Sequence, residues 1–103
     1  MIERTWSARA GSRERGAAYA AYFQRTVLPE LLAVPGYHGA RLLQRELHAG
    51  VELVVVTRWE SMAAIRVFAG EAVETAVVHD EAAALFTEFD RTVRHFEIVS
   101  EHP

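Results

Sequence analysis

Hydrophobic and polar residues alternate from Ile2 to Arg9. Ile2, Arg4, Trp6 and Ala8 fall on one side, and Glu3, Thr5, Ser7 and Arg9 on the other, so a first strand is predicted. Gly11-Ser12 interrupts the alternation, and Ser12 is placed to cap a helix. Tyr19, Phe23, Val27 and Leu31 then recur every fourth residue, with Tyr22 and Thr26 beside them, the stripe of a helix facing a core. Pro29 lacks an N–H and should kink or restart that helix, and Pro35-Gly36 should end it. Tyr37 to Leu47 reads as a second strand. The compact turn His48-Ala49-Gly50 is not of the two-residue Asn-Gly kind, and it leads as a hairpin into Val51 to Trp59.

This third strand carries Val51, Leu53, Val55, Thr57 and Trp59 on one face, and Val54 and Val56 on the other. A strand with valines on both faces is expected to be covered on both. Ser61 should cap a helix burying Ala64, Ile65 and Phe68, and Gly70 should stop it. Val73 to Val78 reads as an irregular turn. Asp80 is a second capping candidate, heading a helix with Leu85, Phe86 and Phe89 inward, and Arg91 to Val99 returns to alternation.

The predicted order is therefore β-α-β-β-α-β, an α+β ferredoxin-like antiparallel sheet with its helices on one face. A single set of helices leaves the second face of the third strand uncovered. A homodimer joined sheet to sheet into a barrel is the expected remedy, because large exposed apolar patches are uncommon on monomers.

Composition narrows the chemistry mainly by what is missing. The 103 residues contain no cysteine, which removes thiolate nucleophiles, disulfides and cysteine metal sites. All 11 basic residues are arginine, so no lysine can form a Schiff base. A net charge of -3 gives no footprint for nucleic acid. No run is long and apolar enough for a membrane helix, and Met1 leads into no apolar leader segment, so the cytoplasm is the expected compartment. Neither H-x-x-x-H nor H-E-x-x-H occurs, and no metal site is expected.

Trp59 reads first as a core or interface tryptophan, and alternatively as a flat wall for an aromatic ligand with its indole N–H as donor. Tyr22, Phe23, Phe68, Phe86 and Phe89 lie on apolar helix sides, which form either plain core or the lining of a small-molecule pocket. Two histidines are candidate bases. His79 precedes a helix start that favours neutral imidazole, and His95 shares a strand face with Val93 and Val99. Each also has a plainer reading, as a loop histidine and a structural histidine respectively. An inward-pointing arginine near Trp59 would stabilise an enolate or phenolate, but spacing does not choose among the arginines.

Three segments, VLPELLAVPGYHGARLLQR, VELVVVTRWESMAAIRVFAG and AVVHDEAAALFTEFDRTVRHFEIV, together resemble the antibiotic biosynthesis monooxygenase-like proteins of the dimeric α/β-barrel superfamily. The resemblance implies one such domain over residues 1–103, paired as a homodimer, with a pocket between sheet and helices in each subunit. It implies either cofactor-independent oxygenation of activated phenolic compounds by dioxygen or haem degradation. Trp59 matches the tryptophan that many members carry at the end of this strand.

Two departures bear on activity. Active members commonly use an asparagine near the pocket, and this chain has none. Haem-degrading members carry an axial histidine on the helix after the tryptophan, where this chain has Phe68 to Gly70. The resulting expectation is a small homodimeric monooxygenase-like protein acting without cofactor on an aromatic or polyketide-like small molecule. Trp59, Tyr22, Phe23, Phe68 and Phe86 would contact substrate, with His79 or His95 as base. The alternative is a non-catalytic binding or stress-response module of the same fold.

Overall fold

The computed structural model describes all of residues 1–103. Its strands and helices run β1 (Ile2–Ala10), α1 (Arg13–Tyr22), a π-helical turn (Phe23–Val27), α2 (Leu28–Leu32), β2 (Tyr37–Leu47) and β3 (Gly50–Trp59). They continue as α3 (Met62–Ala69), α4 (Asp80–Ala83), β4 (Glu88–Phe89) and β5 (Arg94–Glu97). All strand pairs are antiparallel, in the order β2-β3-β1, with β4 and β5 both pairing the far side of β1. This is the ferredoxin-like α+β sheet with its helices on one face.

Local chemistry explains the elements. The Ser12 and Ser61 hydroxyls accept hydrogen bonds from the Arg15 and Ala64 N–H groups at 3.1 and 3.2 Å, starting α1 and α3. The π-helical turn sits just before Pro29. There the Leu28 N–H donates to the Phe23 carbonyl, five residues back, and the wider turn accommodates the proline without ending the helix. In the hairpin neither His48 nor Ala49 takes a positive φ. That conformation falls on Gly50 (φ +98°), where a Cβ would lie 2.0 Å from the Ala10 carbonyl oxygen.

Register assigns the two faces. Ile2, Arg4, Trp6, Ala8 and Ala10 stand opposite Trp59, Thr57, Val55, Leu53 and Val51 on the helix-covered side. Trp59, Leu31, Leu53, Ile65 and Val51 are fully buried there. On the uncovered side Val54 and Val56 lie between Leu43 and Arg41 of β2 and Ser7 and Thr5 of β1. Leu43 and Phe96 remain 43% and 48% exposed, and ion pairs such as Arg9–Glu88 and Arg45–Glu52 stand around them.

The C-terminal third differs from the sequence expectation. Asp80 is the first residue of α4, and His79 occupies the cap position without a side-chain capping bond. The helix is a single turn, and Phe89 lies in β4 opposite Ala8. The last strand is split: from Ala8 to Thr5, three steps on β1, the partner advances five, from Phe89 to Arg94. The break arises because this segment bonds a second strap of chain. Ala76 N–H donates to the Arg91 carbonyl and Val93 N–H to the Glu74 carbonyl, while Thr75 bridges Thr92. The strap, 71–78, crosses over the helix-covered face.

Candidate active site

Between sheet and helices lies a cavity of about 60 Å³. Tyr19, Val27 and Leu31 from the first helical stripe line it, together with Phe68 of α3 and Val77 and Val93 of the strap region. The sheet contributes Arg4, Trp6, Val55 and Thr57. An engineered cavity of about 150 Å³ holds benzene. An aromatic ligand therefore needs the lining side chains Val77 and Phe68 to swing aside, while the strap backbone stays bonded to Arg4.

Arg4 is the unusual member. Alternation along β1 turns it inward, opposite Thr57 on one side and His95 on the other, and it is 5% exposed. One guanidinium nitrogen, Nη1, donates to the Val73 carbonyl at 2.6 Å and lies 2.9 Å from His95 Nε2. The other, Nη2, donates to the Thr75 carbonyl at 3.3 Å. None of the ion pairs of the molecule includes Arg4. Burial lowers its pKa to about 10, so it remains a cation at neutral pH. A buried cation without a carboxylate is costly to maintain, which marks the position as one with a task.

His95 supports this cation. Arginine has only donors, so the imidazole Nε2 must accept and the ring is neutral in this arrangement. Burial and then Arg4 lower the His95 pKa below 6.5, against a smaller opposing influence of Glu74. The unfolded chain then binds more protons than the folded one between that lowered value and 6.5. Stability should accordingly fall as pH drops through 6.5 and level off below the folded value. Urea unfolding across this range should show a shallower dependence for His95→Gln. An identical slope for both proteins would mean that the pairing does not control His95.

The other aromatics make a second layer. Trp59 is 0% exposed and its indole N–H donates to Thr57 Oγ1 at 2.8 Å, with Tyr37 and Phe68 rings each 5.6 Å away. It shapes the cavity by holding Thr57 and Phe68 and has no free donor for a ligand. Tyr22 and Phe23 are buried against Tyr19, and Phe86 packs on Trp6 and Tyr19 behind the cavity wall. Only Phe68 among the aromatics expected to contact substrate lines the cavity.

Neither candidate base lines it. His79 is on the surface with Nε2 4.0 Å from Glu30. The His95 ring reaches Arg4 from a surface depression shared with Ile2 and Met62. Sequence reasoning missed nine of the ten lining residues as site residues, among them Arg4, Trp6, Tyr19 and Thr57. For Arg4 a signal existed, since it is a charge on the apolar side of a strand also carrying Ile2, Trp6 and Ala8.

The cavity lies beneath a ferredoxin-like α+β sheet. Residues 3–79 match the family model for antibiotic biosynthesis monooxygenase, and the chain belongs to that family. No curated protein matches the sequence. Among solved structures, the haem degrader MhuD of Mycobacterium tuberculosis, with two haems in its active site, is similar at TM-score 0.67 and 21% identity, with 100% of each chain covered. A Streptomyces coelicolor monooxygenase in complex with nanaomycin D is similar at TM-score 0.63 and 15% identity, over 92% of this chain and 82% of its own. These likenesses show the fold.

The residues here do not fit haem. On α3, Phe68 and Ala69 precede Gly70, and none offers an axial donor. His95 Nε2 already faces Arg4, and no histidine lines the cavity. No helix is long and apolar enough to cross a membrane.

Proposed function

We propose that the protein is a small monooxygenase-like enzyme that oxygenates an aromatic, polyketide-like molecule with dioxygen and no bound cofactor. The observation carrying this reading is the buried Arg4 cation, free of any carboxylate, in an otherwise apolar and aromatic cavity. In such a site an ionised phenol or enol is stabilised by the guanidinium in a medium that strengthens the attraction. The electron-rich anion itself reduces dioxygen. A ring CH₂ tautomer becomes a carbonyl, with one oxygen atom entering the product and the other leaving as water. Trp6, Tyr19 and Phe68 would hold the ring in place, and the closed strap would exclude bulk water. His95 would position Arg4, and Trp59 with Tyr22, Phe23 and Phe86 would keep the cavity in shape.

The proposal includes a homodimer paired through the uncovered sheet face, supported by the exposed Leu43 and Phe96 there. It also takes residues 1–103 as one domain and the cytoplasm as the working compartment, which suits a chain with no cysteine. A second reading, binding without turnover, draws on the absence of any carboxylate or imidazole from the cavity lining. Dioxygen consumption with 1,8-dihydroxyanthrone, supplied at a pH where part of it is already the anion, separates the two. The enzymatic reading expects uptake well above the spontaneous rate and formation of the quinone. Uptake equal to a protein-free control would leave the binding module.

A further inference from the structure

We infer that the cavity selects ligands that arrive already ionised, as a planar anion presenting two neighbouring oxygens. This rests on the small-molecule reading of the cavity given above, and it specifies the substrate class.

Two observations carry it. The first is the hydrogen-bond inventory of Arg4. A guanidinium has five N–H donors. Val73, His95 and Thr75 occupy both on Nη1 and one on Nη2. The Nε–H and one Nη2 N–H remain without a partner. Nε and Nη2 flank one edge of the planar fork, the edge that takes two oxygens of a carboxylate side by side. An anion with a single oxygen would leave half of that edge unused.

The second is that nothing lining the cavity can remove a proton. Thr57 Oγ1 accepts from Trp59, and the Trp6 N–H is committed to the Asp90 carbonyl at 2.6 Å. Burial raises the Tyr19 hydroxyl pKa, which keeps it a neutral phenol. A ligand that must lose its proton inside therefore finds a cation but no base. An aromatic carboxylate, or an enolised dicarbonyl such as a hydroxyquinone, needs none. Either presents two oxygens to Arg4 and an apolar ring to Trp6 and Phe68.

Two matched pairs of probes test this by calorimetric titration of the intact protein. One pair is 2-naphthoate and 2-naphthamide. The other is 2-hydroxy-1,4-naphthoquinone and its methyl ether. Each anion should bind at least tenfold more tightly than its neutral partner. The 2-hydroxy-1,4-naphthoquinone affinity should weaken as pH falls through the quinone's own pKa. Preference confined to the first pair assigns a carboxylate, and preference confined to the second assigns an enolate. Arg4→Met should abolish the preference, and Arg4→Lys, which keeps charge but loses the fork, should retain only part of it.

The wild-type comparison stands even if a variant fails to fold. Equal binding within each pair, no binding of any probe, or a preference that survives Arg4→Met would overturn the inference. Dihydroxyanthrone turnover without anion preference would sink this inference and leave oxygenation standing. Anion preference without dioxygen uptake would do the reverse.

Discussion

Replacing Trp59 by alanine is expected to cost about 3–5 kcal/mol, a large part of the ~5–15 kcal/mol that holds a domain of this size. The side chain is fully buried, edge-on to Tyr37 and beside Phe68, at the end of β3 where it pairs both β1 and β2. Its removal opens a void that neither the sheet nor α3, packed on it through Phe68, can close. Trp59→Phe keeps most of the volume but leaves Thr57 Oγ1 without its donor. Its expected cost is smaller, about 1–3 kcal/mol. Urea midpoints measure both. A Trp59→Phe protein of unchanged stability that nevertheless lost ligand binding would place the indole in the ligand site and contradict its assignment to the core.

The opposite profile is expected at Arg4. Arg4→Met should lower dioxygen uptake with dihydroxyanthrone by about 100-fold or more, the usual effect of removing a preorganised charge-stabilising donor. Stability should change far less, because two effects oppose. The buried cation no longer has to be desolvated without a carboxylate. Against that, the Val73 and Thr75 carbonyls and His95 lose their donor. Uptake that survives Arg4→Met in a folded protein would remove Arg4 from the chemistry. Together, the two substitutions separate a residue that builds the cavity from one that acts in it.

Alternation and helical spacing were enough to read β1, β2, β3 and the two serine-capped helices, because each depends on neighbours close in sequence. The Val51–Trp59 strand also disclosed the two-sided sheet, with Val54 and Val56 on the face opposite Leu53 and Trp59. The C-terminal third was misread for a physical reason. Whether Arg91 to Val93 pairs with β1 or with Glu74 to Ala76 is decided by tertiary contacts, and alternation in the sequence is the same either way.

Similar reasoning applies to the site. An aromatic residue on an inward stripe is legible, but whether it lines a cavity or stands one layer behind depends on packing. Phe68 and Phe86 look alike in sequence, yet only Phe68 reaches the cavity. The Arg4–His95 pairing joins residues 91 positions apart through the register of β5 on β1. No local spacing encodes it. What could have been noticed is the charge itself, at an inward position of a first strand that otherwise turns apolar residues to the core.

The most direct test of Arg4 as the ligand anchor is a nuclear magnetic resonance titration of the arginine Nε–H signals with 2-naphthoate. The chain has 11 arginines, and the signal lost in Arg4→Lys identifies the one of interest. A shift of the Arg4 Nε–H that saturates with ligand, while Arg41, Arg45 and Arg58 on the open sheet face stay in place, is the expected result. An unmoved Arg4 at saturating ligand, or shifts confined to the open-face arginines, would contradict it.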